Sequence, residues 1–98
     1  MKWPPAHESA REEFREIVQY LRTNVSANLA RRFTLSAMET VQAALRFPES
    51  GSPIGIEARR LRIRPFSYDL IYLAEGDEIY IIAFAHHRRQ PGYWTVRL

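Results

Sequence analysis

Residues 58–85 read ARRLRIRPFSYDLIYLAEGDEIYIIAFA, and this stretch decides the fold. Over Ala58–Arg64 the period is two: Arg60, Arg62 and Arg64 fall on one side and Leu61 and Ile63 on the other, the pattern of a half-buried strand. Pro65, Phe66 and Ser67 then turn the chain. Tyr68–Leu73 and Glu78–Ala85 are rich in Ile, Tyr and Phe and are separated by Ala74-Glu75-Gly76-Asp77, which predicts a hairpin with glycine in its turn. Three strands in an antiparallel meander are therefore expected. On strand alternation, Tyr80, Ile82, Phe84 and His86 would share one face, and His87 would point to the other.

Upstream of the meander the period changes to that of helices. Ala10, Phe14, Ile17, Val18 and Leu21 line one face of a helix expected to start near Ser9, where Ser9 and Glu12 fit a capping box, and to end near Thr23-Asn24. Glu12, Glu13 and Glu16 lie toward the positive end of its dipole. Ser26 can cap a second helix whose apolar residues Leu29, Phe33, Ala37, Val41, Ala44 and Leu45 again share a face, and Phe47-Pro48 stops it. Residues 48–57, with two prolines and two glycines, read as a loop. Pro4 and Pro5 disfavour a strand at Lys2-Trp3, and Pro91-Gly92 prevents one from continuing into the tail. The expected class is α+β: an N-terminal helical hairpin packed on a three- or four-stranded antiparallel sheet.

Composition sets limits on the chemistry. At 98 residues the chain suits one domain, 1–98, and with 46% hydrophobic residues it has the apolar content to fold rather than stay disordered. The absence of Cys excludes disulfides, thiolate metal sites and a cysteine nucleophile. Apolar runs fall well short of the roughly 20 residues of a membrane span, and Met1-Lys2-Trp3-Pro4-Pro5 has no signal-peptide core, so a cytoplasmic protein without membrane association is expected. Lys2 is the sole lysine, so the excess positive charge is carried by arginine, which forks onto carboxylate and phosphate and stacks on rings. An anionic partner and a plain compositional bias both account for that choice.

Several residue groups together resemble the RelE/ParE superfamily of bacterial type II toxin–antitoxin toxins. They are Ala10-Arg11-Glu12-Glu13-Phe14, Tyr20, Ala30-Arg31-Arg32-Phe33, Arg59-Arg60-Leu61-Arg62-Ile63, the run Pro65–Tyr72, and the ending Ile81–Trp94 with its apolar strand, His86-His87-Arg88-Arg89, Pro91 and Tyr93-Trp94. The ending is similar to the ParE-like group labelled plasmid stabilisation proteins. The resemblance implies a toxin held inactive in a hetero-oligomeric complex by a cognate antitoxin, with DNA gyrase as the target. The alternative it implies is a RelE-like, metal-independent endonuclease acting on mRNA at the ribosome. Asp69 stands where RelE-like nucleases often carry a basic residue, and the prolines near the start depart from the family's first strand.

The candidate residues follow from these two chemistries. RNA cleavage without a metal needs a base for the 2′-OH, an acid for the leaving oxygen and cations about the phosphate; His86 and His87 are the candidates for acid and base. A binding poison would instead present Arg60, Arg62, Arg64, Arg88 and Arg89 with Tyr93 and Trp94 to its target or antitoxin. Each has a plainer reading: a hydrogen-bonded His86 at a strand end, a solvated arginine face, and Tyr93-Trp94 as core aromatics anchoring the tail. Asp69 could pair with an arginine of the neighbouring strand. Adjacent histidines face opposite ways on a strand, so no metal site and no cofactor are expected.

Overall fold

The computed structural model describes residues 3–98; Met1 and Lys2, and with them half of the Lys2-Trp3 segment, lie outside the described residues. Helices α1 (Glu8–Asn24) and α2 (Ala27–Arg46) are followed by strands β1 (Ser52–Ile54), β2 (Ala58–Arg62), β3 (Tyr68–Glu75) and β4 (Glu78–His86) and a C-terminal 3-10 helix, Tyr93–Arg97. The four strands form one antiparallel sheet in the order β1-β2-β3-β4. The two helices cover one face. This is the expected α+β architecture, in its four-stranded form.

Local chemistry explains the helix ends, with one correction. The Ser26 hydroxyl accepts from the Leu29 N–H and opens α2, and Phe47 closes it, as the sequence predicts. Helix α1 starts at Glu8, next to the expected Ser9, but its cap is His7, whose Nδ1 accepts the Ser9 N–H at 3.1 Å, so the Ser9–Glu12 box does not form. A ring nitrogen with a lone pair satisfies the same orphan N–H that a serine oxygen would. The segment before His7 makes a short parallel bridge to β4, with the Ile81 N–H donating to Pro5 and the His7 N–H donating to Ile81. Prolines without N–H groups limit the pairing to that one bridge.

Two further corrections concern the sheet. Residues 52–54, expected as loop, pair with Ala58–Arg60 to add a fourth strand, because a strand of three residues is too short to show a period. In β4 the alternation breaks: Ile71 faces Ala83 while Tyr72 faces Ile81, leaving Ile82 as a bulge. Ile79, Ile81 and Phe84 consequently pack toward the helices, whereas Tyr80, Ile82, Ala83 and Ala85 pack on the other face. Tyr80, Ile82, Phe84 and His86 do not share a face.

The helix-side core joins Ala10, Ile17 and Leu21 of α1 and Phe33, Ala37 and Val41 of α2 to Leu70, Tyr72, Ile81 and Phe84 of the sheet. Phe33 is fully buried between Phe14, Phe66 and Tyr68, with ring centroids 5.2 to 5.9 Å away, an arrangement that adds edge and tilted ring contacts to the burial itself. Tyr72 is also fully buried, and its hydroxyl donates to the Pro48 carbonyl at 2.9 Å and accepts the Gly51 N–H at 3.0 Å. A side chain at residue 51 would meet that hydroxyl at 2.6 Å, which is why glycine stands there. Arg59 clamps the same loop by donating to the carbonyls of Glu49 and Gly51.

One buried carboxylate ties the two faces together. Glu13 of α1, 8% exposed, accepts the Phe84 N–H of β4, the Tyr93 hydroxyl at 2.6 Å and two guanidinium N–H groups of Arg97 at 2.9 Å each. Arg97 also donates to the Ile82 carbonyl, so the backbone groups freed by the bulge and by the sheet edge at Phe84 are satisfied by this ion pair. Burial of the phenol, then its hydrogen bond to Glu13, pushes the Tyr93 hydroxyl above the ordinary tyrosine range, so it stays a neutral donor.

Removing Glu13 leaves Arg97 with its charge uncompensated, and breaking a buried pair from one side costs about 3–5 kcal/mol. Urea unfolding of Glu13→Ala is expected to show a loss of that size; a loss below about 1 kcal/mol would remove the carboxylate from its central place. Tyr72→Phe leaves the Gly51 N–H and the Pro48 carbonyl without their partner and is expected to lose about 1–3 kcal/mol in the same measurement. No measurable change would mean that the 48–51 loop is held by Arg59 alone.

Candidate functional site

The sheet face away from the helices carries the charged side chains. Alternation along β2 puts Leu61 and Ile63 toward the core and leaves Arg60, Arg62 and, just past the strand, Arg64 exposed. Across the sheet, Gly92 takes a positive φ of 77° after Pro91 and lets the chain fold back as the 3-10 helix. Trp94, 4% exposed, inserts among Ala58, Ile71, Ile82, Ala83 and Ala85 and pins that helix to the sheet. Between the arginine edge and the returning tail lies an open cleft of about 600 Å³.

This cleft gathers nearly all the residues singled out in the sequence. Arg60, Arg62, Arg64, His86, His87, Arg89, Tyr93 and Trp94 line it; Arg88 does not. Among the described residues, the carboxylates that pair with cations are Asp69 and Glu13, and neither is held by Arg60, Arg62 or Arg64. The arginine edge is thus a line of cations without carboxylate partners. Arg89 is committed: its guanidinium lies 4.0 Å above the Tyr93 ring and 3.7 Å from Glu13, and Arg97 sits 5.1 Å from the same ring. Trp94 is a buried core aromatic.

The two histidines are held separately. The half-buried His86 ring meets Tyr68 edge-on at 4.8 Å, and its Nδ1 accepts the Arg88 N–H at 2.9 Å, which fixes the turn after β4. His87 leaves on the other side, where its N–H donates to Ser67 and its Nε2 lies 3.1 Å from the Asp69 carboxylate. Arg62 stands opposite Asp69 in the β2–β3 register, yet its Nε reaches the Phe66 carbonyl at 3.4 Å instead. Asp69 therefore pairs with His87 and not with an arginine of the next strand. No group of three or more His, Asp or Glu residues is placed to hold a metal ion among the described residues, and no helix there is long and apolar enough to cross a membrane.

Glu13 and Arg97, which position the cleft's far wall, were not among the expected site residues. A local signal exists for Glu13: it lies three residues after Ala10 and four before Ile17, on the stripe that faces the core. A carboxylate there requires a buried partner. Arg97 carries no such signal, since nothing near it in sequence reveals a carboxylate 84 residues away.

Comparison with known proteins places this geometry in a lineage. No functionally curated protein matches the sequence. Among solved structures, one of the chromosomal ParDE toxin–antitoxin system from P. aeruginosa is similar, with a TM-score of 0.72 and 16% identity, covering 88% of this chain and 96% of that one; at that identity the likeness is one of fold. A family model described as the ParE toxin of the type II toxin–antitoxin system parDE matches residues 6–91, a span from the bridge to β4 through both helices and the sheet to the far wall of the cleft. The chain belongs to the ParE toxin family of type II toxin–antitoxin systems.

Proposed function

We propose that this chain is the toxin of a two-protein pair, neutralised by a cognate antitoxin in a hetero-oligomeric complex, and that it inhibits DNA gyrase in the cytoplasm by binding rather than by a covalent step. The observation that carries this reading is that His86 and His87, though both on the cleft wall, are held by different partners, beside arginines that have no carboxylate partner among the described residues. General acid–base catalysis needs two titratable groups converging on one reacting phosphate. Here one histidine packs on Tyr68 and caps a turn, while the other is tied to Asp69. A binding poison needs only a preformed surface, and the cleft with Arg60, Arg62 and Arg64 along its edge supplies one.

The alternative of metal-independent mRNA cleavage at the ribosome has one observation in its favour. The Asp69–His87 pair lies on the cleft wall near Arg62, where a carboxylate could orient an imidazole toward a phosphate held by arginine. The two readings part on their dependence on histidine. Purified gyrase should be inhibited by the His86→Ala, His87→Ala double variant to within about twofold of the parent chain. The Arg60→Gln, Arg62→Gln, Arg64→Gln variant should lose at least about tenfold, because hydrogen bonds to charged groups are each worth on the order of 1.5–3 kcal/mol. Loss of toxicity in the histidine variant, with gyrase unaffected by any form of the chain, would move the function to mRNA cleavage.

A further inference from the structure

We infer that the cleft binds a single strand of DNA along its arginine edge, so that the toxin grips the nucleic acid as well as the enzyme acting on it. The inference rests on the gyrase reading for the choice of DNA over RNA, and on the cleft's own geometry for the choice of a single strand. Alternate residues of a strand are about 6.6–6.8 Å apart, so Arg60 and Arg62 set two cations at that spacing, and Arg64, just past the strand, adds a third. An extended single strand can lay successive phosphates along this row, with a guanidinium fork available to each of three.

The rest of the cleft fits the same ligand. Asp69 is the one carboxylate among its described lining residues, and His87 engages it. Gln90, exposed on the cleft wall, adds a side-chain amide that can meet a base edge. Trp94 is buried and Tyr93 is covered by Arg89, so neither offers a bare ring as a stacking platform. Binding should then be dominated by phosphate contacts, tolerant of sequence and steeply dependent on salt. A duplex is disfavoured because the arginines border a recess; they do not project from a helix or ribbon able to enter a groove.

Fluorescence anisotropy of the purified chain with a short labelled oligonucleotide tests this, using single-stranded DNA, its duplex and an RNA of the same sequence over a salt series. The single DNA strand is expected to bind tightest, with log affinity falling against log salt at a slope of about −2, from about 0.7 for each of three neutralised phosphates. Arg60→Gln, Arg62→Gln, Arg64→Gln should flatten that slope to near zero. The charge-matched control Arg11→Gln, Arg22→Gln, Arg32→Gln, on exposed helix positions, should leave it in place. Equal losses in the two triple variants would reduce the effect to net charge and overturn the assignment, as would tighter binding to RNA or duplex. Gyrase inhibition without strand binding would mean that the arginine edge meets protein, overturning the strand but not the gyrase reading. Strand binding without gyrase inhibition would do the reverse.

Discussion

The Glu13 carboxylate is the point on which the structure turns. It sits on the buried stripe of α1 and draws the Phe84 N–H, the Tyr93 hydroxyl and the Arg97 guanidinium onto one pair of oxygens. A buried charge is tolerated only when its lone pairs are filled. Filling them fixes the distance between the helix layer and the C-terminal segment. Because Arg97 also takes the Ile82 carbonyl, the same pair closes the backbone groups exposed by the bulge in β4. The tail therefore folds back over the sheet at a set position, and Trp94 locks it there.

The two faces of the sheet then differ in how far they are covered. One face is covered by Phe33, Phe84, Tyr72 and the aliphatic residues of the hairpin. The other is only partly covered, by the 3-10 helix, and what remains open is the cleft edged by Arg60, Arg62 and Arg64. The bulge at Ile82 sorts the β4 side chains between the two cores. Without it, Ile79 and Ile81 could not face the helices while Phe84 does, since strict alternation gives one parity to each face. His86, the last residue of β4, packs on Tyr68, while His87, in the turn past it, meets Asp69.

Much of this was legible in the sequence because it is local. The Ser26 cap, the Phe47-Pro48 stop, the Gly76 turn and the period-two run through Arg60, Arg62 and Arg64 are all decided by neighbours within a few residues. Features set by distant partners were not legible. Glu13 meets residues 71 to 84 positions away, and the β4 bulge depends on which β3 residue faces it. Strand β1 was too short to announce itself. His7 replaced Ser9 as a cap because the backbone of residues 5–7 is already held by Ile81, a constraint from the sheet that no cap motif encodes. At the site, the cluster of candidates was readable from the ending His86–Trp94, but the burial of Trp94 and the Asp69–His87 pair required the fold.

The most direct test of a gyrase-binding toxin is pulse-labelling of DNA and protein synthesis in the first minutes after induced expression. The account predicts that incorporation into DNA falls first while translation continues. An immediate collapse of translation with DNA synthesis intact would contradict it and point instead to the messenger as the target.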